Sequence, residues 1–103
     1  MKNNVKVYRG DGRYVDVRTH TTAAGDVVVK LQDHGTSSCV NSVWVNVTKG
    51  RCYIDWRGTF YAYDLQNPDG VLRQFMLTQS LGRVANWVKG NDTEKEFVSD
   101  GRY

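Results

Sequence analysis

The alternation Val43-Trp44-Val45-Asn46-Val47-Thr48 constrains this chain most, because β-branched residues at a period of two belong to a strand whose faces meet different surroundings. Lys49-Gly50 reads as a two-residue hairpin loop, which sets Val47 opposite Cys52, Val45 opposite Ile54 and Val43 opposite Trp56. All these pairs are apolar, and a slip of one residue loses the match. Arg57-Gly58 turns the chain again into residues 59–66. Asn67-Pro68-Asp69-Gly70 then carries turn chemistry: the Asn side chain starts it, Pro presets φ, and Gly takes the left-handed position. A fourth strand is expected over 71–78, with Tyr63 facing Phe75 and Tyr61 facing Leu77.

Such a meander has two surfaces. The core side carries Val43, Val45, Val47, Cys52, Ile54, Trp56, Tyr61, Tyr63, Phe75 and Leu77. The other carries Trp44, Asn46, Arg51, Tyr53, Asp55, Arg57, Phe60, Ala62, Leu72, Gln74 and Met76. From it the candidate binding residues are Trp44, Arg51, Tyr53, Asp55, Arg57, Phe60 and Gln74. Trp, Tyr and Arg anchor protein interfaces, and the same combination stacks bases while contacting phosphates. A helix laid on this face would instead cover the rings.

Before the meander, residues 4–9 and 13–20 alternate around Gly10-Asp11-Gly12 and read as a hairpin, and residues 27–32 as a further strand. The tripeptide Arg9-Gly10-Asp11 is the chance product of a charged turn, and 33–38 is a polar loop bearing His34. After it the period changes: Leu81, Val84, Ala85 and Val88 stand at i, i+3, i+4 and i+7, Ser80 caps their start, and Lys89-Gly90 ends the run. Gly82 weakens this helix by about 1 kcal/mol relative to Ala, and a strand through Val84, Asn86 and Val88 competes with it. Residues 91–96 read as a charged loop and Phe97-Val98 as a final edge strand. The fold class expected is mainly β (α+β): an antiparallel meander of about seven strands forming a partly open barrel or sandwich, with one short C-terminal helix at about 80–89, in a single domain over 1–103.

The net charge of +3 comes from 14 basic and 11 acidic residues scattered through every segment, so a polyanionic partner is permitted but not demanded. No apolar run approaches the roughly 20 residues needed to cross a bilayer, and Met1-Lys2-Asn3-Asn4 does not lead into a signal-peptide apolar region, so no membrane partner and a cytoplasmic location are expected. In the hairpin register Cys39 and Cys52 stand ~26 Å apart at ~3.3 Å per residue, which predicts two reduced thiols. His20, His34, Cys39 and Cys52 lack the close ligand pairs of a zinc site, so no metal and no cofactor is assigned. His20 or His34 with Asp16, Asp26, Asp33 or Asp55 offers acid–base groups, but nothing orders them and no catalytic residue is named. The sequons Asn46-Val47-Thr48 and Asn91-Asp92-Thr93 are accidental without a secretory context.

The preferred reading is a small non-enzymatic binding protein that regulates or inhibits a larger macromolecule through the aromatic and arginine face. Its partner is a protein, with homodimerisation through an edge strand, residues 4–9 or the last strand, also open. The alternative is a single-stranded nucleic-acid-binding domain, and the third a small hydrolase or ribonuclease.

Overall fold

A computed structural model describes residues 3–10, 12–35 and 39–95. The strands are β1 (Asn3–Tyr8), β2 (Tyr14–Thr21), β3 (Val27–His34), β4 (Val40–Asn46), β5 (Arg51–Trp56), β6 (Thr59–Leu65) and β7 (Asp92–Lys95). Helices α1 (Asp69–Thr78) and α2 (Leu81–Gly90) stand between β6 and β7. The strands form one antiparallel sheet in sequence order, with β1 and β7 at its two edges, so it is open rather than a closed barrel. The fold is mainly β with α+β character.

Valines organise the sheet. Pairing sets Val17 against Leu31, Leu31 against Val43 and Val43 against Ile54, while Val29, Val45, Cys52 and Tyr63 form the next row. These rows share one face, and the core cluster joins them to Val71 and Phe75 of α1 and to Leu81, Val84, Ala85 and Val88 of α2. The expected stripe of α2 is therefore the buried one, and it faces the valines rather than the Trp44 side. Ser80 caps it as anticipated, its Oγ accepting from the Arg83 amide at 3.3 Å.

The β4–β5 register differs from expectation by two residues: Val45, not Val47, opposes Cys52, and Val43, not Val45, opposes Ile54. The turn holds four residues, 47–50, closed by the Gly50 amide donating to Asn46 O at 2.9 Å. Gly50 takes φ +73°, and a Cβ there would lie 2.8 Å from Leu65 O, so only glycine fits. A shift of two leaves every side chain on its expected face. A bulge at Asn41 then lets Val40 pair with Trp56.

A polar clip holds this turn. Asn46, 1% exposed, donates through Nδ2 to Asp26 Oδ2 at 3.1 Å, its Oδ1 accepts from the Lys49 amide at 2.9 Å, and Lys49 Nζ reaches Asp26 Oδ2 at 3.2 Å. The β2–β3 and β4–β5 turns are tied at one end of the sheet.

The larger correction concerns 71–78, which is helix and not a strand. Asn67-Pro68-Asp69-Gly70 begins α1 instead of reversing a hairpin: Pro68 sits at the N-cap with φ −65° and ψ −24°, and the Gly70 and Val71 amides donate to Asn67 O and Pro68 O. Proline at a helix entrance loses no needed donor, and Asp69 favours the positive end of the dipole. Phe75 is buried from the helix, but Leu77 is 73% exposed and Met76 77%. Trp56, assigned to the core, is 39% exposed at its rim. Residues 92–95, read as loop, form β7 on β6; the Phe97-Val98 strand lies outside the described residues.

Gly70 is where the helices meet, since a Cβ there would come within 2.3 Å of the Trp87 ring. Gly70→Ala is expected to lower stability by about 1–3 kcal/mol through overpacking, against a helix-propensity gain of at most about 1 kcal/mol. Gly82 has only Ser80 Oγ near, at 3.8 Å, so Gly82→Ala should raise stability by about 0.5–1 kcal/mol; thermal unfolding of both variants checks the opposite signs.

The Asn46 hydrogen bond foremost, then Lys49, hold the Asp26 carboxyl below its ordinary value against the opposing effect of burial. Stability from this carboxylate is therefore complete above the ordinary carboxylate range and is lost as pH falls through the lowered folded value. Urea unfolding from pH 7 to pH 2 should show a shallower loss in Asp26→Asn than in the wild type.

Candidate functional site

Away from the helices, the sheet shows a face none of whose residues joins the core cluster. Its cross-strand rows read Lys30-Trp44-Tyr53-Ala62 in the middle and Asp16-Gln32-Ser42-Asp55-Phe60 beside it. Farther along β1, β2 and β3, Tyr8, Tyr14 and His34 form a third row.

The sheet brings Trp44, Arg51, Tyr53, Asp55 and Phe60 to this face, with Trp44 directly opposite Tyr53 and Asp55 opposite Phe60. Gln74 is not among them, because it lies on α1 across the sheet. Arg57 occupies the two-residue β5–β6 turn in left-handed backbone (φ 50°), followed by Gly58 (φ 92°), and its Nη2 lies 3.2 Å from Cys39 Sγ. Asp55 Oδ1 accepts from the Gly58 amide at 2.8 Å and so serves the turn.

Exposure divides the rest. Tyr53 is only 7% exposed and covers the fully buried Ala62, so it supports the face more than it presents a ring. Trp44 is half-buried: Nε1 donates to Ser42 Oγ at 3.0 Å, and Lys30 Nζ lies 4.3 Å from the ring centroid. Arg51 Nε pairs with Asp64 Oδ1 at 2.9 Å, and Arg18 Nε with the buried Asp16 carboxylate at 2.8 Å. Arg18 and Arg51 thus stand beside acids, while Lys30 stands over a ring.

The rings of this third row were not among the expected site residues. Tyr14 stacks on His34 at 4.6 Å with 15° between planes, Tyr8 tilts against Tyr14 at 5.5 Å, and Lys6 Nζ sits 5.0 Å from the Tyr14 centroid. Tyr8 is 64% exposed. The signal was available in the alternation of all three strands: aligning Val7, Val15 and Leu31 with the core valines turns Tyr8, Tyr14, Lys30 and His34 to the other side.

His20 and His34 stand six residues apart along β3's partner ladder, roughly 20 Å at 3.3 Å per residue, so they do not share a site. Cys52 lies on the core face, where burial pushes its thiol up, while Cys39 is half-buried beside Arg57; both are free. Among the described residues no group of three or more His, Cys, Asp or Glu side chains converges as a metal site, and no helix is long and apolar enough to cross a membrane. No family model, curated protein or solved structure matches the chain.

Lys30 shields the Trp44 indole with its alkyl stem and ammonium. Lys30→Ser, made with Trp56 and Trp87 replaced by Phe, should increase acrylamide quenching of Trp44 fluorescence without changing the unfolding midpoint by more than a few degrees, about 1 kcal/mol.

Proposed function

We propose that this protein is a small non-enzymatic binding protein that engages a larger protein through the helix-free face of its sheet, regulating or inhibiting it. The observation that carries the reading is the Tyr8-Tyr14-His34 ladder, a stack of rings with Lys6 beside it that no other described element covers. Burying a ring that already lies in a fixed stack costs little side-chain entropy and removes much apolar surface from water. Tyr8 and Tyr14 anchor the contact, and Trp44, Phe60 and Lys30 extend it along the sheet. Tyr53 and Arg51 set the neighbouring side chains rather than seize the partner.

The ion pairs Arg18–Asp16 and Arg51–Asp64 favour a protein surface over a polyanion. A nucleic-acid groove concentrates uncompensated cations along a backbone track. Single-stranded nucleic acid remains the competing reading because the rings can stack bases. The free thiols fit a reducing compartment, and the cytoplasm is proposed as the location. The outer edge of β1, with Val5 58% exposed, is the place where a second copy would add a strand.

Capture from a cell lysate, with and without nuclease, tests the reading. Retention of one protein should survive nuclease, fall only mildly as salt rises, and weaken by about tenfold or more in Tyr8→Ser/Tyr14→Ser, whose thermal unfolding should stay cooperative with a midpoint lowered by about 5–10 °C for the lost ring stack. Retention abolished by nuclease, or unchanged in the double variant, would contradict it.

A further inference from the structure

On the opposite side of the sheet, where α2 ends, a recess of about 160 Å³ opens between β5, β6 and the last turn of the helix. Ile54 and Trp56 line it from β5, Tyr61 and Tyr63 from β6, and Lys89 from α2. Cross-strand pairing places Ile54 directly opposite Tyr61, so the apolar floor and the tyrosine wall are held by the ladder rather than by a loop. Cavities of this size accept a single aromatic ring, as an apolar void of roughly 150 Å³ accepts benzene. The walls here are not apolar throughout. Lys89 Nζ lies 4.7 Å from the Trp56 ring centroid, and Tyr61 and Tyr63 are also part of the lining.

We propose that this recess is a site for a small planar carboxylate, whose apolar body lies on Ile54 and the Tyr61 and Tyr63 rings and whose charge meets the Lys89 ammonium beside Trp56. The direction follows from the lining: Lys89 brings a cation to one side of the recess and none of the five lining residues is a carboxylate, so an anionic group turns to Lys89. The lysine is exposed on the last helical turn, where its ammonium is free to move from the Trp56 face onto an oxygen. One strong cation, a ring-sized apolar slot and hydroxyl donors are what selects a compact aromatic acid over a neutral ring. The site lies across the sheet from Tyr8 and Tyr14, so it is independent of the protein-binding reading.

Benzoate and its neutral analogue benzamide are the probes, titrated into the 15N-labelled full chain while amide shifts are followed. Saturable shifts centred on Ile54, Trp56, Tyr61, Tyr63 and Lys89 should appear at about millimolar benzoate, a modest affinity for a ligand of this size. Benzoate should bind about fivefold more tightly than benzamide, reflecting one charge-assisted contact at a partly exposed site, and Lys89→Gln should erase that preference while leaving the spectrum of a folded protein. Equal affinity of the two probes for the wild type, a preference surviving in Lys89→Gln, shifts centred elsewhere, or no saturable shift would each overturn the proposal.

Discussion

Apolar pairing in the middle of the sheet, Val43 against Ile54 and Val45 against Cys52, is the contact on which the remainder depends. These side chains are almost wholly buried, and burying each removes about 1.5–3 kcal/mol worth of apolar surface from water. They also provide the floor on which the Val84, Ala85 and Val88 stripe of α2 lies. Once both helices are drawn to that floor, the opposite side of the sheet is left to aromatics and charge. The division of the molecule into a packed side and a presented side is thus a consequence of one strand's alternation.

Faces were legible in the sequence, and partners were not. Period-two alternation survives any even shift, so Trp44, Tyr53 and Phe60 stay together even though the β4–β5 pairing moves by two residues. Register depended on the turn, where Asn46 and its bonds to Asp26 and Lys49 favour four loop residues over two. That bond partner lies 20 residues away, beyond any local pattern. By contrast Arg57-Gly58 makes the two-residue loop its sequence indicates, and Cys52 opposes Tyr63 as a result.

The segment 71–78 departs from its sequence expectation because Asn-Pro-Asp-Gly suits both a reverse turn and a helix entrance, and the choice between them is tertiary. Val71 and Phe75 at i and i+4 share a face in a strand and in a helix alike; the helix buries both while leaving Leu77 exposed, and Gly70 lets it close on Trp87. Gln74 consequently leaves the candidate site while Tyr8, Tyr14 and His34 enter it, so the aromatic surface moves toward β1–β3 and away from the meander's last strand. Of the rings expected to reach a partner, Tyr53 instead fills the space over Ala62. Residue type marked this face as aromatic and charged; only packing distinguished the rings that support it from those that are exposed.

Hydroxyl-radical footprinting of the isolated protein, read residue by residue, tests this two-sided arrangement most directly. The account predicts fast modification of Tyr8 and Met76, intermediate rates at Tyr14, Trp44 and Phe60, and protection of Tyr53, Tyr63 and Phe75. Protection of Tyr8, Tyr14 and Trp44 together with fast modification of Tyr63 and Phe75 would mean that the helices lie on the other side, and the account would fail.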